Sequence, residues 1–139
     1  MINRKKEETN IMVEFCAFGD NFNPSVITDR LKLIPKCTWK KGDRIEDHNH
    51  FRKENCWTFG TGYENSLDVM EQLKIILDVL YPCKKKLLEL KDELSVEYSL
   101  EVVINIEQAQ TPALYFEKDI IEFCNDIGII FIDVDLYVL

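Results

Sequence analysis

Apolar and polar positions alternate most cleanly in two stretches, 95–107 and 129–138. In the first, Val96, Tyr98, Leu100, Val102, Ile104 and Ile106 fall on one side, and Glu97, Ser99, Glu101, Val103, Asn105 and Glu107 on the other. In the second, Ile130, Ile132, Val134, Leu136 and Val138 share a side, against Phe131, Asp133, Asp135 and Tyr137. A period of two is that of a strand with one buried face. The wholly apolar side of Gly128–Val138 predicts the element around which the rest of the core packs. A weaker alternation over Thr9–Phe18 predicts another strand. Cys56, Trp57 and Phe59 place one more within 51–61.

Helical spacing separates these strands. Leu67, Met70, Leu73, Ile76, Leu77 and Leu80 recur every three or four residues, which predicts a long helix capped by Ser66 and broken by Pro82. Leu87, Leu88, Leu90 and Leu94 predict a second helical piece over 83–94. Asn23-Pro24 opens an earlier helix, with Ile27, Leu31 and Ile34 inward and Pro35 as its stop. Ile120, Phe123, Cys124 and Ile127 predict a last helix, with Gly128 ending it. Residues 36–50 and 108–112 read as loops.

The order is strand, helix, strand, long helix, strand, helix, strand. It predicts an α+β fold: a ferredoxin-like two-layer sandwich, its mostly antiparallel sheet carrying helices on one face. The strand–helix–strand unit is expected twice, around the long helix. The half-polar strands agree, since a parallel sheet covered on both faces reads as continuous apolar runs. A chain of 139 residues suits one domain, taken as 9–139 after a disordered polar lead-in over 1–8.

Charge narrows the partners. Seventeen Lys and Arg against 25 Asp and Glu leave a net charge of −8. Phosphate repels such a surface, which counts against nucleic acid and anionic membranes and favours a basic protein partner. The five cysteines form no CxxC pair, and no apolar leader or membrane-spanning run is present. Reduced thiols in a cytoplasmic protein are therefore expected.

Three groups could carry chemistry. The polar sides of the strands place Glu14, Glu97, Glu101, Glu107, Asp133 and Asp135 on one sheet face, with Tyr137 beside them. Such a face would capture a basic surface and speed association; the plain alternative is a solvated face that aids solubility. A paired-carboxylate hydrolase would need a raised carboxyl pKa and a pocket, and an open sheet face is expected to offer neither. His48 and His50, even with Cys37, Cys56, Asp43 or Asp47, have poor ligand spacing, so no metal and no cofactor are expected. In the loop, Trp39 and Asp43 lie among Lys40, Lys41, Arg44 and Arg52. Trp39 either stacks on a ligand or plugs one end of the core, with Gly42 serving a turn that needs positive φ. Trp57 is read as core. With no nucleophile elbow and no phosphate loop, no catalytic residue is assigned.

Pro35-x-x-x-Trp39-x-x-Gly42-Asp43, Trp57, Pro112-x-Leu114 and Asp133-x-Asp135-x-Tyr137 together resemble a bacterial family known as domain-of-unknown-function family 4279. The resemblance spans nearly the whole chain. It implies a bacterial single-domain protein and brings no established activity with it. The resulting expectation is a non-enzymatic protein-binding module, with immunity toward a toxin as one such role, acting through the acidic face. The alternative is a small-ligand binding or catalytic domain that uses the Trp39–His50 loop. A concave pocket beside Trp39 favours the alternative; a flat acidic face favours the first.

Overall fold

The structure is a computed structural model, and it describes residues 7–46 and 49–139. In chain order the elements are β1 (Asn10–Gly19), α1 (Pro24–Leu31), β2 (Cys37–Trp39), β3 (Asn55–Gly60), β4 (Glu64–Asn65), α2 (Val69–Leu80), a 3-10 turn (Tyr81–Cys83), α3 (Lys84–Leu94), β5 (Glu97–Ile106), α4 (Lys118–Ile127) and β6 (Ile129–Val138). The sheet runs β2-β3-β1-β5-β6, with β4 also beside β1. Every pairing is antiparallel except that of β5 with β6. The family of alternating strands is thus a mixed α+β fold with a mostly antiparallel sheet.

The centre of the sheet is β1 and β5, not the last strand. Ile11, Val13, Phe15 and Ala17 of β1 and Tyr98, Leu100, Val102 and Ile104 of β5 are buried on one face, with Trp57 of β3. Against them pack Ile27 and Leu31 of α1, Leu73 and Leu80 of α2, Leu87 and Leu90 of α3, and Phe123 and Ile127 of α4. The helices therefore cover a single face, as alternation in the strands requires. Polar tips that go inside find partners. The Tyr98 hydroxyl donates to the Leu87 carbonyl at 2.6 Å, and the Trp57 indole donates to Thr28 Oγ1 at 3.0 Å.

The wholly apolar side of Gly128–Val138 does not line the centre of the core. The strand is β6, at the edge, and Leu136 and Val138 are 57% and 79% exposed. From that side Ile132 and Val134 pack partly against the core, as does Ile129 at the start of the strand. Alternation reports which side of a strand is apolar, not where the strand stands in the sheet; α4 is too short to cover the whole of an edge strand of equal residue count, since a helix rises less than half as far per residue. The expected duplication is not seen in the pairing either. The strands flanking α4 are parallel neighbours, whereas β1 is antiparallel to β3, which follows α1 and β2.

Helix ends depart from expectation in instructive ways. Asn23 does cap α1, its side chain accepting from Ser25 N–H, and Gly128 ends α4 at φ +74. Yet α1 stops at Leu31, with Lys32 left-handed, so Ile34 is 87% exposed rather than inward. Asp68, not Ser66, caps α2; Ser66 instead holds the turn before it, accepting from Asp68 N–H. Leu67 consequently lies outside the helix and is exposed. Pro82 falls in the 3-10 turn between α2 and α3, as a helix breaker should. The expected lead-in over 1–8 lies mostly outside the described residues. Thr9 is already fixed, its hydroxyl donating to the Gln110 carbonyl at 2.6 Å.

Candidate functional site

The face turned away from the helices carries most of the chemistry-bearing residues. Strand register arranges them in rows across the sheet. Gly60, Glu14, Glu101 and Asp133 form one row through β3, β1, β5 and β6. Thr58, Cys16 and Ser99 form the neighbouring row, and Trp39, Cys56 and Phe18 the one beyond it.

Side-chain size then shapes the surface. Cys16, Cys56, Thr58 and Ser99 are small and buried in the middle of this face. Around them stand Trp39, Phe18 and Phe131, with the Phe18 and Phe131 rings 6.2 Å apart. A small residue flanked by large ones leaves a depression. The result is a recess of about 270 Å³, floored by Cys16, Cys56 and Ser99 and walled by the three aromatics and by Glu14, Glu54 and Glu101. The expectation that an open sheet face would offer no pocket is overturned.

The carboxylate row is largely uncompensated. Lys36 Nζ lies 3.5 Å from Glu14 Oε2 at one end. Among the described residues, no cation forms an ion pair with Glu101, Asp133 or Asp135. Burial, followed by the charges of Glu14, Asp133 and Asp135, pushes the Glu101 carboxyl above its ordinary range. The expectation of no shifted carboxyl on this face is overturned as well. The Cys16 thiol is driven strongly upward by its hydrogen bond with Cys56, by burial and by the carboxylates of Glu101 and Glu14. It stays protonated and is a poor nucleophile.

The remaining expected site residues are placed elsewhere. Glu97 does not join the acidic row; Lys91 Nζ lies 3.5 Å from its carboxylate at one end of the sheet. Tyr137 is exposed on β6 beside Asn105, at the other end of the face. The loop expected over 36–50 gains a short strand, β2, at 37–39; beyond it the described residues up to Glu54 form no strand or helix, but they are tied together by backbone hydrogen bonds and by a bridge between Arg44 and Phe51. Arg52 N–H donates to the Asp43 carbonyl and Ile45 N–H to the His50 carbonyl, extending the β2–β3 hairpin. Asp43 is a turn residue: its carboxylate accepts from Lys40 N–H at 2.8 Å, while Gly42 sits at φ +93. Trp39 neither plugs the core nor stands free. It is half-buried at the rim of the recess, with the Arg52 guanidinium 4.0 Å from its ring centroid. His50 is exposed, and His48 and Asp47 lie outside the described residues. Among the described residues no group of three His, Cys, Asp or Glu is placed to hold a metal ion.

Sequence reading missed the recess because it looked for large or charged residues. The available signal was the reverse: Cys16 and Ser99, small side chains on the polar sides of two central strands, with Phe18 two residues along β1.

No helix of the described residues is long and apolar enough to cross a membrane. Comparisons with curated proteins and with solved structures found no match. The model of the family described as Domain of unknown function (DUF4279) matches residues 7–139, nearly the whole chain. The protein therefore belongs to that family.

Proposed function

We propose that the protein is a binding module whose acidic sheet face takes a basic protein partner; the concavity beside Trp39 favours the small-ligand alternative and supports it as a second reading. The observation that carries this reading is the row Glu14–Glu101–Asp133, with Asp135 next to it, crossing three strands with one lysine at its end. Like charges directly opposite one another weaken a sheet. Lysine or arginine side chains laid across the row would relieve that repulsion, so the complex would be favoured over the free protein. The field of the row would also speed encounter, most strongly at low salt. An immunity role is one form such binding takes, and cytoplasmic residence of a bacterial protein accords with five free thiols.

The test compares wild type with Asp133→Lys/Asp135→Lys, two positions away from the core, as bait in lysate of the source organism. The expected result is a basic protein retained by wild type, released by added salt and lost with the double variant. Identical retained proteins from both baits, with both folded by circular dichroism, would reduce the face to a solvated surface.

A further inference from the structure

We propose that the recess between Trp39 and Glu101, which shares Glu14 and Glu101 with the acidic row, is a small-molecule site for a protonated amine carrying a compact apolar body. Three features of different kinds converge on that chemistry. The first is shape: a concavity of about 270 Å³ on a strand face, close to the smaller ligand cavities of proteins. The second is the division of its walls. Trp39, whose ring also carries the Arg52 guanidinium, supplies aromatic and apolar area together with Phe18 and Phe131, and Glu14, Glu54 and Glu101 supply negative charge. Aromatic faces and carboxylates both attract a cation, and the rings also shed water onto an apolar body.

The third feature is an unpartnered polar group in the floor. Ser99 is 1% exposed, and its hydroxyl makes no hydrogen bond within the described residues. The hydroxyl lines the recess and is free to accept from an ammonium N–H placed there. The neighbouring Cys16 and Cys56 thiols are weak hydrogen-bonding groups and leave the hydroxyl as the strong one in the floor. A quaternary ammonium would satisfy the rings but not Ser99, so the geometry favours an amine with N–H groups. The site goes beyond capture of a basic protein on the open face: it needs the concavity, whereas the face needs only the row of charge.

The probe is n-butylammonium, titrated into ¹⁵N-labelled protein, with 1-butanol as its uncharged counterpart and sodium chloride as a bare cation. Saturable shifts of the Cys16 and Ser99 amides and of the Trp39 indole are expected with the amine, much weaker with the alcohol and absent with sodium. Ser99→Ala should weaken the amine by roughly threefold to tenfold, the equivalent of one hydrogen bond. Glu101→Gln should weaken it further, and Ser99→Met should block it. Should Ser99→Met fail to fold, the alanine and glutamine variants still decide. Equal response to butanol, no saturable response to the amine, or unchanged affinity in both Ser99→Ala and Glu101→Gln would overturn the site. Asp133→Lys/Asp135→Lys lies outside the recess and should still saturate with amine. Loss of its basic partner with no amine binding to wild type would leave the face reading standing and remove this one.

Discussion

Glu101 stands directly opposite Glu14 in the antiparallel register of β5 and β1, and opposite Asp133 on its other side. Three carboxylates thus share one line across a sheet. Lys36 reaches only the Glu14 end. Stability would be better served by a neutral or cationic residue at position 101.

Glu101→Gln is therefore expected to stabilise the protein. Its folded pKa is raised, first by burial and then by the neighbouring carboxylates. A carboxyl raised in the fold binds more protons folded than unfolded. Its penalty is absent below the unfolded pKa and grows as pH rises through the folded one. The gain in the glutamine variant should thus be seen near neutral pH and vanish in acid. A magnitude of about 0.2–1 kcal/mol is expected for a cross-strand pair partly screened by solvent. Urea denaturation at several pH values measures it; equal stability of the two proteins near neutral pH would contradict the assignment.

Position in the sheet sets the cost of truncation. Ile104 is fully buried in central β5, and Leu136 pairs with it across to edge β6 while 57% exposed. Ile104→Ala should cost about 2–5 kcal/mol and Leu136→Ala well under half as much. The two midpoints in guanidinium decide this directly.

The end of α4 rests on a single glycine. Gly128 has φ +74, and an added Cβ would meet the Lys91 side chain, whose Nζ donates to the Gly128 carbonyl at 2.9 Å. Gly128→Ala should destabilise by at least the left-handed penalty of roughly 1–2 kcal/mol. Lys91→Met, which removes the donor but keeps the stem, should restore part of the loss in the double variant. A double-mutant cycle showing simple additivity would refute the contact.

Thiol reactivity should follow burial and environment. Cys37 is exposed, Cys83 intermediate, and Cys16, Cys56 and Cys124 buried, with burial pushing Cys124 up to about 11. A maleimide pulse on native protein should label Cys37 first and Cys16 last, while denatured protein takes up five labels. Rapid labelling of Cys16 in the native state would mean its thiol is not held protonated as described.

The sequence alone determined the elements and their inner sides. Tyr98 to Ile106 alternates so regularly that its core-facing residues could be named outright, though not the burial of Ser99 on the other side, and Asn23, Pro82 and Gly128 act where their backbone chemistry puts them. These features depend on a residue and its near neighbours along the chain. Tertiary structure alone decided the rest. It put β6 at the edge, because strand order depends on how the connections cross and not on any one strand's pattern. It divided the acidic residues, giving Glu97 to Lys91 and leaving Glu101 between Glu14 and Asp133. And it made the recess from Cys16, Cys56 and Ser99, three small residues far apart in the chain that adjoin only when β3, β1 and β5 pair. A concavity is a relation between neighbours across strands, and no local stretch of sequence contains it.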